Sequence, residues 1–209
     1  MTLNDRPAFI LTGKSLDVLK GLDTNSVDCI ITDPPYTGFE GMDSSEAYVE
    51  WFAPHFVEMQ RICRSPLNIV VSQPRKRFAS FMSNFGFKTA INIKNAMVDQ
   101  RGADAFFLCQ TAGLPDPLPE SECWPNDIVP ASSHPNARCI NKMSIVVKAM
   151  SQPGDVVLDS FCGSAAIGVA CILLGRRYIG IEVNEVRSQE AISRVESALS
   201  LIPNTPETH

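Results

Sequence analysis

The chain has 209 residues, 44% of them hydrophobic, and a formal net charge of −5. That is enough apolar content for one well-filled domain, and the acidic balance excludes a global attraction to nucleic acid, so any such contact must come from a local patch. No apolar stretch approaches a membrane span, and seven cysteines without C-x-x-C spacing argue against disulfides and zinc.

The N-terminus, with Asn4, Asp5 and Arg6, lacks a signal-peptide pattern, and His55, His134 and His209 are too scattered to form a metal pair by spacing. The expectation is a cytoplasmic protein with no membrane and no metal. Residues 1–202 read as a single domain with a reduced, proline-rich insertion near 99–136, followed by a flexible tail over 203–209.

In chain order, the first informative element is the run Val27-Asp28-Cys29-Ile30-Ile31-Thr32, which is short, continuous and rich in β-branched residues. It reads as a strand buried on both faces, ended by two prolines that stop the ladder and stiffen the exit. The next residues, Asp33-Pro34-Pro35-Tyr36, would therefore stand at the carboxyl end of a strand, where open α/β sheets bind ligands. The Asp33 carboxylate and Pro34 carbonyl suit the two hydrogens of an exocyclic amine, and Tyr36 suits the face of a flat heterocycle. Taken alone the four residues equally describe a rigid loop with a surface tyrosine.

Residues 46–64 carry apolar side chains at helical spacing and read as a packing helix. Strands are expected over 67–72, 87–93 and 105–109, with a short helix over 78–85. Arg75-Lys76-Arg77 is the best basic patch for nucleic-acid phosphates, although a solvated helix start is the simpler reading of it. From Ala96 to Ala137 the chain has one base, Arg101, against six acids, so this stretch is poorly suited to gripping DNA alone. A helix is expected over 139–150.

Residues 154–183 read as strand, glycine-containing turn, helix and strand. Val156-Val157-Leu158-Asp159 leads into Ser160-Phe161-Cys162-Gly163-Ser164, then a helix through Leu174 stopped by Gly175, then Tyr178-Ile179-Gly180-Ile181-Glu182. Arg176 and Arg177 follow the negative end of that helix. Glu182 falls about twenty residues after the turn, where doubly wound folds place the acid that holds ribose hydroxyls. The full G-x-G-x-x-G is missing and no Gly-Lys-Ser/Thr triplet follows, which disfavours a dinucleotide or nucleoside triphosphate. A cofactor with adenine and ribose but no pyrophosphate fits better, S-adenosylmethionine being the obvious member.

With both motifs in hand, the sequence resembles the amino-methyltransferases of DNA in their permuted β-type arrangement, where D-P-P-Y precedes the cofactor segment. The likeness extends to Asn25-Ser26-Val27-Asp28, to His134-Pro135, and to Gly175-Arg176-Arg177-Tyr178-Ile179-Gly180-Ile181-Glu182, in the family's order over most of the chain. It implies a doubly wound, Rossmann-like α/β fold with a mostly parallel sheet. It also implies methyl transfer from S-adenosylmethionine to adenine N6 in DNA, with cytosine N4 as the runner-up base. A degenerate fold acting as a cofactor- or DNA-binding module is the alternative of another class.

The residues implied for catalysis are Asp33, Pro34, Pro35 and Tyr36. Those implied for the cofactor are Asp159, Phe161, Cys162, Gly163, Ser164, Glu182 and Asn184, with Arg138 on the methionine carboxylate. The chain departs from the family pattern at Ala165, Ala166 and Ile167, where a glycine and two threonines are usual, at Arg138-Cys139 in place of Lys-Pro, and at Gly13-Lys14 in place of Gly-Asp. The absence of a Pro-Cys pair argues against cysteine-based covalent catalysis. The small recognition region suggests that a homodimer or another partner completes the grip on DNA.

Overall fold

The β-branched run at Ile30 and Ile31 is the centre of a sheet, and its neighbours follow from where the remaining apolar runs fall. A computed structural model describes residues 6–35, 44–65, 69–73, 85, 89–93, 105–109, 118–133 and 137–202. The strands are β1 (Ala8–Thr12), β2 (Cys29–Thr32), β3 (Ile69–Gln73), β4 (Thr89–Ile93), β5 (Ala105–Cys109), β6 (Val156–Asp159) and β7 (Arg177–Glu182). The helices are α1 (Ser15–Lys20), α2 (Ser45–Ile62), α3 (Ile140–Met150), α4 (Ala166–Leu173) and α5 (Glu185–Ser200).

All seven strands form one sheet in the order β1-β7-β6-β2-β3-β5-β4. The five from β1 to β3 are mutually parallel, and β5 runs antiparallel between β3 and β4. This is the expected α/β doubly wound architecture. The expected strands and helices recur with boundaries shifted by a few residues, while the helix expected over 78–85 lies largely outside the described residues. Elements not expected from the sequence, β1 with α1 and the long C-terminal α5, complete the fold.

Side chains alternate along the parallel strands and divide the core in two. Cys29, Ile31, Val70, Val157 and Tyr178 join α3, α4 and α5 on one face. Ile30, Ile69, Val71, Val156, Leu158, Ile179 and Ile181 join α1 and α2 on the other, where Tyr48, Phe52, Phe56, Met59 and Ile62 form the helix's buried stripe. Each residue of β2 and β6 is buried, as strands covered on both sides must be.

Arg176 shows how the helix ends are satisfied. Its guanidinium donates to the Leu174 carbonyl at 2.7 Å and to the Ser151 carbonyl at 2.7 Å, so one buried cation closes the carboxyl ends of both α3 and α4.

Close approach of α4 to the sheet depends on Gly168. A Cβ there would stand 2.4 Å from the Tyr178 ring, which is itself fully buried. Gly168→Ala is expected to lower stability by about 2–3 kcal/mol through overpacking, read as a drop in melting temperature of roughly 4–12 °C for a chain of this size. An unchanged melting curve would mean that helix and ring part without cost.

Candidate active site

β2 and β6 are adjacent and parallel, but the chain leaves them in opposite directions, from β2 outward to β3 and from β6 outward to β7. Their carboxyl ends therefore flank a topological switch point, the crevice where such sheets accept ligands. The loop starting at Asp33 and the loop starting at Ser160 emerge side by side from it.

Thr32, the last residue of β2, ties them together. Its hydroxyl donates to Asp159 Oδ1 at 2.9 Å and lies 3.0 Å from the Ser160 hydroxyl. Asp159 Oδ1 also accepts from the Phe161 amide at 3.2 Å, and Oδ2 from the Tyr178 hydroxyl at 3.4 Å. Asp159 is thus buried beneath the turn, fixing its path. Burial pushes its carboxyl up to about 7, because desolvation outweighs the hydrogen bonds from Thr32, Phe161 and Tyr178.

The turn itself is built on left-handed backbone. Gly163 has φ +52°, and a Cβ there would meet nothing within 4 Å, so its outer face opens onto free space. Its amide donates to Glu182 Oε2 at 3.0 Å, while the Asn184 amide donates to Oε1 at 2.8 Å. Asn184 in turn caps α5, its side chain accepting from the Arg187 amide at 3.0 Å. Glu182 is thereby held rigidly at the end of β7, with carboxylate lone pairs remaining beyond the two backbone bonds.

Ser164 presents its carbonyl to the Arg194 guanidinium, which also donates to the Pro130 carbonyl at 3.0 Å. Cys162 is buried, its amide bonded to the Ile181 carbonyl at 2.9 Å, and its thiol is pushed well above the usual range by desolvation, then by Asp159 and Glu182. Such a thiol is no nucleophile at neutral pH. The Phe161 ring leans on Trp51 and His55 of α2, with centroids 5.6 and 5.5 Å away. His55 is itself buried, and desolvation lowers its pKa.

Ala165, where the family pattern has glycine, also sits in the left-handed region at φ 56°. Its methyl group is buried in the core, but an L side chain in this conformation costs about 1–2 kcal/mol. Ala165→Gly is expected to leave stability unchanged or to raise it by up to about 1 kcal/mol, because relief of the backbone strain outweighs the burial of one methyl group. A clear fall in stability in a urea titration would show that packing of the methyl group dominates.

Arg138 differs most from its expected partner. Its Nε donates to Asp33 Oδ2 at 2.7 Å, an ion pair in which the arginine side chain is 8% exposed and the aspartate 21%. It also lines a cavity of about 470 Å³ between residues 125–132, the start of α3 and Arg194. The structure thus brings Asp33, Pro34, Pro35, Asp159, Phe161, Cys162, Gly163, Ser164, Glu182, Asn184 and Arg138 to one end of the sheet. Tyr36, Arg75, Lys76 and Arg77 lie outside the described residues.

Sequence reading does not single out Thr32, Tyr178, Arg194 or Val183. Val183, between Glu182 and Asn184, is an apolar side chain 62% exposed at the mouth of the site. A valine directly after the ribose-type acid is the one signal the sequence offers for it.

Comparison with known proteins agrees with this geometry. Residues 118–193 match a family model described as DNA methylase. YubD of Escherichia coli (strain K12), described as a methylase, is 29% identical over 90% of this chain and 92% of its own length. The DNA adenine methyltransferase YhdJ of the same organism is 24% identical over 90% of this chain and 83% of its own. Among solved structures, the M1.HpyAVI–SAM complex shares the fold with a TM-score of 0.63 at 23% identity, covering 90% of this chain and 98% of that one. The cytosine-N4-specific PvuII DNA methyltransferase does so with a TM-score of 0.65 at 18% identity, covering 95% and 87%. The likeness to YubD and YhdJ thus extends over most of the chain, and the match to the DNA methylase model takes in the segment from residue 118 through the glycine turn into α5.

Proposed function

We propose that the chain is an S-adenosylmethionine-dependent DNA methyltransferase acting on the exocyclic N6 amine of adenine. The observation that carries this reading is the pair of loops at adjacent strand ends, cross-tied through Thr32 to Asp159 and Ser160. The residues around the glycine turn fit the cofactor. The open face of Gly163 admits a ligand against the backbone, the fixed Glu182 carboxylate has lone pairs for ribose hydroxyls, and exposed Val183 offers an apolar surface to an adenine ring. When bound, the cofactor supplies a methyl group activated on a sulfonium.

The chain's own task is to hold an amine whose lone pair is delocalised into the base. Asp33 and the Pro34 carbonyl accept its hydrogens and favour the pyramidal nitrogen, on which positive charge develops in the transition state. Tyr36 stacks on the extruded base. The two prolines restrict the loop, so less ordering is needed at the moment of reaction. Arg75, Lys76 and Arg77 take phosphate contacts, and a second copy of the chain completes the grip on DNA.

Adenine is favoured over cytosine because the loop begins with Asp, and because the relative YhdJ, matched along most of the chain, is described as an adenine methyltransferase. The PvuII likeness keeps N4-cytosine as the second reading. Nucleoside mass spectrometry of DNA from cells expressing the protein decides between them. 6-Methyladenine is expected, 4-methylcytosine overturns the base assignment, and neither base in DNA of mixed sequence overturns the activity in favour of a binding module.

A further inference from the structure

We propose that Lys14 reads the edge of the cofactor's purine by donating to it, so that the site takes a 6-oxopurine nucleoside about as readily as adenine. The inference rests on the functional reading above and deepens it. It follows from the order of the strand ends. The reacting methyl group belongs beside Asp33, at the end of β2, and the ribose beside Glu182, at the end of β7, with the glycine turn after β6 between them. In the cofactor the sulfonium and the purine stand on opposite sides of the ribose. The purine is therefore carried past β7, away from β2, and the strand on that side is β1.

β1 delivers Lys14 to this place. Thr12 is in register with Glu182, and the Gly13 amide donates to the Glu182 carbonyl at 2.9 Å, so the two strands end together. The Thr12 hydroxyl lies 2.6 Å from that of buried Ser188, which fixes the end of β1 against α5. The purine's surroundings are then the exposed valines Val183 and Val186 and, directly after Gly13, the exposed Lys14. Among the described residues no ion pair holds the Lys14 ammonium.

Valines can cover the faces of a purine, but they do not distinguish one edge from another. Lys14 does. An ammonium only donates, so it disfavours the 6-amine of adenine and is confined to the ring nitrogens beside it, whereas a 6-carbonyl offers it an acceptor at that very position. An aspartate, which the family pattern has here, carries the opposite preference because a carboxylate only accepts. Lys14 is thus a specificity-determining residue for the cofactor, acting from the far side of the ribose from Asp33.

Calorimetry with S-adenosylhomocysteine and S-inosylhomocysteine, which differ only along that edge, reads the selectivity without any turnover. The wild-type protein is expected to bind the two within about threefold of one another. Lys14→Asp is expected to shift the ratio of the two dissociation constants at least about tenfold in favour of S-adenosylhomocysteine, the scale of a hydrogen bond to a charged group. Lys14→Met, which has neither donor nor acceptor, should fall between them. Both substitutions replace an exposed side chain, so folding is not at issue.

A wild type that prefers S-adenosylhomocysteine by much more than threefold, or a ratio that is the same in all three proteins, makes Lys14 an ordinary solvated lysine and overturns the inference alone. Failure of the wild type to bind either nucleoside overturns the functional reading as well.

Discussion

Replacing Asp33 by Ala is expected to lower methyl transfer to DNA by at least about a hundredfold, the scale seen when a preorganised group facing transition-state charge is removed. Binding of S-adenosylhomocysteine should survive, because Gly163, Glu182 and Asn184 hold one another through backbone bonds that do not involve Asp33. The assay is transfer of labelled methyl groups to mixed-sequence DNA, run beside calorimetry on the same preparation. Unchanged transfer would remove Asp33 from the chemistry, and joint loss of transfer and binding would make it a structural residue.

The second large effect concerns the acid beneath the turn. Asp159 is buried and its pKa is raised from 3.8 to about 7, chiefly by desolvation. The folded protein therefore binds more protons than the unfolded chain between these values, and stability attributable to Asp159 falls as pH rises from about 4 to 7 before levelling off. Asp159→Asn keeps a carbonyl to accept from Thr32 and from the Phe161 amide while removing the charge. It is expected to match the wild type near pH 4 and to exceed it by roughly 2–4 kcal/mol at pH 8. Urea denaturation at the two pH values reads the difference directly. Equal stabilities at pH 8 would mean that solvation or a cation already compensates the buried carboxylate.

How far these features are legible in the sequence depends on whether local pattern or tertiary packing fixes them. The β2 strand is legible because a continuous β-branched run followed by two prolines has few other uses. The unit from Val156 to Glu182 is legible because a strand, a glycine turn and a helix stopped at Gly175 occupy consecutive residues. The C-terminal helix escapes the reading although its signal is local: Asn184 stands beside Glu182 as an expected cofactor residue, and that assignment hides its capping of α5. β1 escapes it because it is one short apolar run whose pairing with β7 is remote in sequence.

Within the site, alternation along a strand buried on both faces does not tell which side chain meets a ligand. Asp159 therefore carries no sequence signal that it lies beneath the turn. The partner of Arg138 is beyond reach for the same kind of reason. A residue 105 positions from Asp33 meets it only because the sheet order brings the start of α3 over the end of β2.

That sheet order also bears on how the polypeptide is made. The first of the sheet's described strands to be translated, Ala8–Thr12, finds its hydrogen-bonding neighbour in Arg177–Glu182, the last of them. Until then Phe9, Ile10 and Leu11 have no ladder to join, and closing so large a loop is slow. Nascent chains stalled before Arg177 should consequently expose this N-terminal segment to proteases and chaperones, and become resistant once the C-terminal strand and helix have emerged.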